Sequence, residues 1–584
     1  MIDDPTDRRL ALDADGVLAE FNRAEVLVAA DIHVALRLGD LTGESDADVL
    51  LAAALAVRAV RQGSTCLDLT TVAETPLEED VVLPWPEPTR WLAAVGRSRL
   101  LAAHVLRLDE GLLYLDRYWR EEVQVRDDLL ARLARPEPET DPVLVADGVL
   151  RVYPKDGYTE QRAAAAAAAG RWTTVLTGGP GTGKTATVAG LLALLAEQDE
   201  AAGGRGLRIA LSAPTGKAAA RLQESVQAET AGLDAVDRAR LGDLRATTLH
   251  RMLGSRYPAT SVRFRHDRGN RLPHDVVVVD ETSMVPLTMM ARLLEAVRPD
   301  TRLVLVGDPD QLASVEAGAV LKDMVDGLGS RADSPVTALL TSHRFTGDIA
   351  ALAQALRDNE AGRVVEILHD GEAVELIDPE DAAAMEGFRA MAADRALAVT
   401  LAADAGDGPG ALAALDRHRL LCAHREGPYG VGGWNRIVER RLADLTGITH
   451  YDDWYSGRPV LVTANDHAQG LYNGDMGVTI RDGDRLRVVV PGADGLLELA
   501  PTRLPDVQTV YAMTVHKSQG SQAQEVSVVL PPDDSPLLTH ELFYTAVTRA
   551  QHHVRVVGTE AAVRAAVARR VQRASGLARR LGPT

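Results

Sequence analysis

The run Gly178-Gly179-Pro180-Gly181-Thr182-Gly183-Lys184-Thr185 stands between a β-branched stretch, TTVLT at 173–177, and a helix-forming one, ATVAGLL at 186–192. Glycines at that spacing let backbone N–H groups close around phosphate oxygens, and the helix that follows adds the positive end of its dipole. Lys184 then reaches the β- and γ-phosphates of a nucleotide, and Thr185 holds Mg²⁺. A second polar pair ends another apolar run, VVVVDE at 276–281. There Asp280 holds Mg²⁺ through water and Glu281 orients or deprotonates the attacking water. A strand-end acid pair is by itself more often an ordinary solvated turn. Behind a phosphate loop in the same sheet it reads as hydrolytic chemistry on a nucleoside triphosphate.

Three further side chains could complete that chemistry. Gln311, in GDPDQL at 307–312, follows another apolar run and is placed to sense the terminal phosphate. Arg344, in SHRF, and Arg549, in YTAVTRA, are two of 58 arginines, so a surface role is the alternative for each. If both point into the cleft they are arginine fingers, which make hydrolysis depend on the approach of two lobes.

These residues need a scaffold that delivers them to one edge. Fully apolar runs at 173–177, 208–214, 276–281 and 302–308 alternate with helical stretches, the pattern of a parallel sheet covered on both faces. A second such set begins after Thr337. Between about 456 and 512 the pattern becomes all-β, with turn signals at 473–475, 481–485 and 491–495, and reads as a small barrel inserted into the second α/β unit. Residues 1–140 are rich in Ala and Leu at helical spacing and predict a helical unit, closed by the linker-like RPEPETDP at 135–142.

The chain has 584 residues, enough for three or four domains, and a net charge of −20. Residues 1–150 carry 29 acids and 15 bases, whereas the segment from Gln551 onward carries seven arginines and one acid. The negative total therefore argues against a polyanion-coating protein without excluding a local nucleic-acid groove. Two cysteines 356 positions apart rule out a disulfide framework and a cysteine-based zinc site. The acidic N-terminus lacks the build of a signal peptide, and a reducing, cytoplasmic home fits. Only five lysines occur, and Lys184, Lys217 and Lys517 fall in motifs, where a compact point charge differs from an arginine fork.

Over residues 145–560 the motifs resemble the superfamily 1 helicases, in particular the RecD family, the alpha subunits of exodeoxyribonuclease V. GGPGTGKT resembles motif I, SAPTGKAAARL (212–222) motif Ia, TLHRML (248–253) the next DNA-contact motif, VVVVDETSMV motif II and GDPDQLASVEAG motif III. TSHRF resembles motif IV, TVHKSQGSQ (514–522) motif V and YTAVTRA (544–550) motif VI. The resemblance implies that Gln161 reads the adenine edge. It also implies that Pro214, Thr215, Lys217, Thr248, His250, Thr514, His516, Lys517 and Ser521 line a groove for single-stranded DNA. Hydroxyls, loop N–H groups and scattered charge suit phosphate positioning without base readout, although the same hydroxyls could be helix caps.

The expected architecture is α/β: two RecA-like parallel-sheet P-loop domains, an SH3-like β-barrel insertion and a helical N-terminal domain. Residues 1–140 would dock partners. Residues 141–335 would form the first motor domain, with a small insertion near 254–272 that holds five arginines between 254 and 271. Residues 336–455 and 513–584 would form the second motor domain around a barrel at 456–512. By resemblance the activity is ATP-dependent 5′–3′ translocation and unwinding at duplex ends, beside RecB-like and RecC-like subunits. A stand-alone helicase and an ATP-switched structural subunit remain the alternatives. No E-x-K or D-x-K arrangement accompanies any lysine, so a nuclease centre is expected in another subunit.

Overall fold

Four consecutive valines, Val276–Val279, form a strand whose side chains are all buried, as a strand with helices on both faces must be. It lies in a six-stranded, wholly parallel sheet ordered Ala246–Thr248, Ile209–Ala213, Val276–Val279, Arg302–Gly307, Thr173–Gly178, Val336–Leu339. Helix Lys184–Ala201 is buried from Thr187 to Ala196, so its apolar run is explained by packing all around, not along one stripe. The polar residues Gly179–Gly183, Asp280 and Asp308 each follow directly on a strand of this sheet. They therefore meet at its carboxyl edge, where ligands of open α/β sheets bind. The computed structural model describes residues 7, 9–74, 82–255, 263–343, 347–449, 451–466, 468–492 and 495–583.

A second parallel sheet is ordered Val374–Ile377, Ala550–Val557, Ala523–Val529, His418–Cys422, Ala512–Thr514. Between His418–Cys422 and Ala512–Thr514 the chain leaves to build a five-stranded antiparallel sheet, ordered Gly495–Leu499, Arg485–Gly492, Met476–Asp482, Pro459–Val462, Val507–Thr509. Asp482 pairs with Arg485, so Gly483-Asp484 is a two-residue hairpin turn, and Gly483 takes the positive φ of 61° that such turns require. The all-β stretch read from the sequence thus lies in one antiparallel sheet.

The N-terminal region is helical, with Gly16–Arg23, Ala29–Thr42, Ala47–Arg61 and Pro88–Gly96 packed around a common core. It also carries a three-stranded antiparallel sheet, Cys66–Asp68, Leu112–Leu115 and Leu106–Asp109, which the Ala/Leu periodicity did not reveal. Helix Asp116–Leu133 then crosses to the first parallel sheet and buries Val125 and Leu129 in the same core as Met290 and Leu294. Arg132 at its end donates to Thr173 Oγ1 and to the carbonyls of Trp172, Arg298 and Thr301.

The basic C-terminal segment closes the assembly. After helix Glu560–Ala568 the chain returns to the first sheet, where helix Leu577–Leu581 buries both leucines beside Met324 and Leu328. On the way Thr65 N donates to Ala574 O at 2.9 Å and Arg573 Nη1 to Ser314 O at 2.6 Å. Arg580 pairs with Asp109 at 2.8 Å and with the fully buried Glu122 at 3.3 Å. The acidic front and the basic tail noted in the sequence therefore meet through Arg580. Both cysteines are buried and unpaired, and no helix among the described residues is long and apolar enough to cross a membrane.

Candidate active site

The phosphate loop is built as its glycines predict. Gly181 and Gly183 adopt φ of 81° and 86°, the left-handed region that side-chain-bearing residues avoid. Gly183 caps helix Lys184–Ala201, which leaves the first-turn N–H groups facing the loop. Lys184 Nζ donates to the carbonyls of Gly178 and Gly179 at 2.6 and 2.9 Å. Thr182 Oγ1 donates to Gly179 O, and Thr185 is half-buried in the first helical turn. Gln161 is fully buried beneath the loop. Its Nε2 donates to Thr182 O at 2.8 Å and lies 3.2 Å from His343 Nε2, while its Oε1 is buried with no hydrogen-bond partner. The segment leading into the second unit is tied to the same loop. His343 N donates to Gly181 O at 2.8 Å, and Ser342 Oγ to Pro180 O at 3.3 Å.

Asp280 and Glu281 face this loop from the end of the valine strand. Burial, and then the Glu281 carboxylate, push Asp280 up to about 6. Glu281 has φ of 49°, a left-handed conformation that costs a non-glycine residue on the order of 1–3 kcal/mol. Its N–H donates to Asp280 Oδ1 at 2.8 Å, which fixes the turn. Burial also raises Asp308, whose Oδ2 accepts from Gln311 Nε2 at 2.9 Å.

Gln311 joins the two units. Its Oε1 accepts from Arg549 Nη2 at 2.7 Å, and Arg549 is 4% exposed, with Nε donating to Thr545 O. One residue on, Leu312 N donates to Thr545 Oγ1 and Leu312 O accepts from Gln519 Nε2, both at 2.9 Å. Three contacts thus link the loop after Gly307 to the segments 519–521 and 544–549 of the second unit. Arg344 lies outside the described residues.

Three polar residues that the sequence reading did not single out also stand here. Asp308 lies in GDPDQL and Tyr544 in YTAVTRA, where Thr545 and Arg549 stand one helical turn apart beside it. Arg357, at the end of helix Asp348–Arg357, belongs to none. A Cβ built on Gly179 would lie 2.8 Å from Tyr544 Oη and 3.1 Å from Arg357 Nη1, so both side chains touch the phosphate loop from the second unit.

The candidate nucleic-acid residues form a second group. Ala213 pairs with Thr248, which sets Pro214, Thr215 and Lys217 beside Thr248 and His250. Across from them a Cβ on Gly520 would lie 3.7 Å from Ala218 Cβ, so the segment that carries Thr514, His516, Lys517 and Ser521 meets helix Gly216–Ala231 from the second unit. Thr215, Thr248 and Thr514 accept from Ala218 N, Arg251 N and Lys517 N respectively and cap their helices. A cap engages an oxygen lone pair and leaves the hydroxyl hydrogen to donate. Ser521 Oγ donates to Ser518 O at 2.6 Å. Burial, and then Arg419, lower Lys217 to about 8. Burial lowers His250, His516 and Lys517 too, with Arg573 and Arg425 adding to it at His516 and Arg425 at Lys517. Arg425, three residues past the strand that pairs with Thr514, is a further base at this edge. Tyr472, in the connection between strands Pro459–Val462 and Met476–Asp482, packs directly on Gly216. In the arginine-rich insertion 256–262 lie outside the described residues. Arg268 in its flank is paired with Asp128 at 2.7 Å.

Comparison with known proteins agrees with this layout. Residues 23–114 match the RecBCD enzyme subunit RecD N-terminal domain, 161–317 an AAA domain and 509–557 the UvrD-like helicase C-terminal domain. The chain is 57% identical over 582 residues to the RecBCD enzyme subunit RecD of Mycobacterium tuberculosis, covering 99% of each chain. It is 58% identical to that of Mycolicibacterium smegmatis, covering 96% of this chain and 98% of the relative. The ATP-dependent RecD2 DNA helicase of Deinococcus radiodurans is 32% identical over 81% of this chain and 59% of its own length. With the phosphate loop, the acid pair and the bridging arginine set between two parallel sheets, the chain belongs to the RecD family of ATP-dependent DNA helicase subunits.

Proposed function

We propose that this chain is the 5′–3′ motor of a RecBCD-type assembly, pulling one strand of a duplex end through the groove between motifs Ia and V. The observation that carries this reading is the 2.7 Å contact between Gln311 of one unit and Arg549 of the other, beside the acid pair. It makes the hydrolytic site a joint product of two lobes, so a change at the terminal phosphate is felt as a change in their spacing.

In this account residues 141–335 are the first motor lobe, with its insertion near 254–272, and 336–455 with 513–584 the second. Residues 456–512 are an SH3-like barrel, and residues 1–140 dock RecB-like and RecC-like subunits in the cytoplasm. Gln161 offers its unpartnered Oε1 to the exocyclic amine of adenine. Gly178, Gly179, Pro180, Gly181, Thr182 and Gly183 wrap the phosphates. Lys184 exchanges its two carbonyl contacts for phosphate oxygens. Thr185 and Asp280 suit Mg²⁺ with water as the remaining donors, and a divalent ion would offset the burial, and then the Glu281 charge, that raise Asp280. Glu281 orients the attacking water and takes its proton, Gln311 senses the terminal phosphate, and Arg344 and Arg549 stabilise the charge that develops. Pro214, Thr215, Lys217, Thr248, His250, Thr514, His516, Lys517 and Ser521 hold the strand by its phosphates, so binding weakens steeply with salt.

The test uses the complete assembly on forked duplexes with a single 5′ or 3′ tail. Lys184→Ala in this subunit is expected to abolish the unwinding that loads on the 5′ tail and to leave the partner's activity in place. Unchanged 5′-tail unwinding would remove the motor assignment and leave a structural subunit.

A further inference from the structure

We propose that Arg357 is a third cationic contact to the terminal phosphate, supplied by the second lobe in addition to the arginines of motifs IV and VI. This rests on the reading of residues 178–185 as the nucleotide site. Arg357 ends helix Asp348–Arg357, and its guanidinium lies against Gly179, with Nη1 3.1 Å from where a Cβ would stand. Gly179 is also one of the two carbonyls that hold the Lys184 ammonium. Lys184 is the group that reaches the β- and γ-phosphates, so this end of the loop is where the last phosphate comes to rest.

Among the described residues the guanidinium forms one hydrogen bond, and that lies within its own helix. Its Nη2 donates to Gln354 Oε1 on its own helix at 2.5 Å, and its Nε is buried without any hydrogen-bond partner. Among the described residues it forms no ion pair. A buried, unsatisfied N–H on a permanently charged group is costly and is normally eliminated. Its persistence beside a phosphate loop is explained if an anionic oxygen completes it during turnover, since arginine's planar fork matches phosphate geometry. Gly179, Pro180, Ser342, Ala350, Ala353 and Tyr544 line a shallow cleft with Arg357. Ala350 and Ala353, lying on the same helix, keep its wall thin. The position also differs from that of Arg549, which is bonded to Gln311 on the acid-pair side. The two arginines therefore make different contacts, Arg357 with the phosphate loop and Arg549 with Gln311.

A contact of this kind distinguishes a nucleotide that has a third phosphate from one that does not. The experiment compares equilibrium binding of fluorescent mant-ADP and of mant-ADP with beryllium fluoride by the full chain and its Arg357→Gln and Arg357→Lys variants. Arg357→Gln is expected to leave mant-ADP affinity unchanged and to weaken the beryllium fluoride complex by about tenfold or more, as loss of a charge-assisted phosphate contact does. Arg357→Lys keeps the charge without the fork and should fall between. Equal weakening of both ligands would mark Arg357 as a structural support of the loop and overturn the proposal, as would no change in either. If the unaltered chain binds neither ligand, the nucleotide-site reading itself fails, a result separable from the failure of Arg357 alone.

Discussion

Arg549→Ala is expected to lower DNA-stimulated ATP turnover by about 10³-fold or more, the scale on which arginine fingers act. Two losses combine. The transition state loses a buried guanidinium, held at 4% exposure by Thr545 O. Gln311 Oε1 loses the 2.7 Å bond that joins the loop after Gly307 to the second lobe, so closure no longer completes the site. Nucleotide binding should persist, because Gly178–Thr185 and Gln161 belong to the first lobe. Arg549→Lys should recover little, since one ammonium cannot serve the phosphate and Gln311 together. Steady-state turnover alongside nucleotide affinity decides it, and turnover within tenfold of the unaltered chain would detach Arg549 from hydrolysis.

Glu281→Gln is expected to slow hydrolysis by about 10²- to 10⁴-fold, the range for removal of a general base, with ATP bound at least as tightly as before. The substitution keeps shape and the left-handed turn at φ 49°. It removes the carboxylate that, after burial, raises Asp280, so Asp280 moves toward its ordinary range and ionises more readily. A metal contact through Asp280 is then preserved while the proton acceptor is lost. Single-turnover hydrolysis with bound ATP measures this, and an unchanged rate would remove Glu281 as the base.

What could be read in advance follows from which constraints are local. Glycines at fixed spacing between a strand and a helix, and four valines leading into an acid pair, state their geometry in the sequence because short-range backbone physics dictates it. The same holds for Gly483-Asp484, which can only turn a hairpin tightly. Arg357 could not be read, since nothing about one arginine among 58 says that its helix ends against Gly179. The strands Cys66–Asp68, Leu106–Asp109 and Leu112–Leu115 are three or four residues long, too short for an alternating pattern to stand out from an Ala/Leu-rich background. The return of the tail to Glu122 and Asp109 joins residues more than 450 positions apart. Only the charge asymmetry between the two ends of the chain hinted at it. The threonines of motifs Ia and V were legible as hydroxyls near phosphate, but their capping of short helices became visible only with the backbone.

If a nucleotide gripped by two lobes is spent to move those lobes along a strand, its turnover must respond to that strand. The most direct measurement is ATP turnover by the purified chain against rising concentrations of a single-stranded oligonucleotide, at low and at high salt. The expected result is a saturable rise in turnover whose half-point shifts to higher oligonucleotide concentration as salt increases. A turnover rate indifferent to DNA under every condition, with nucleotide still bound, would contradict it.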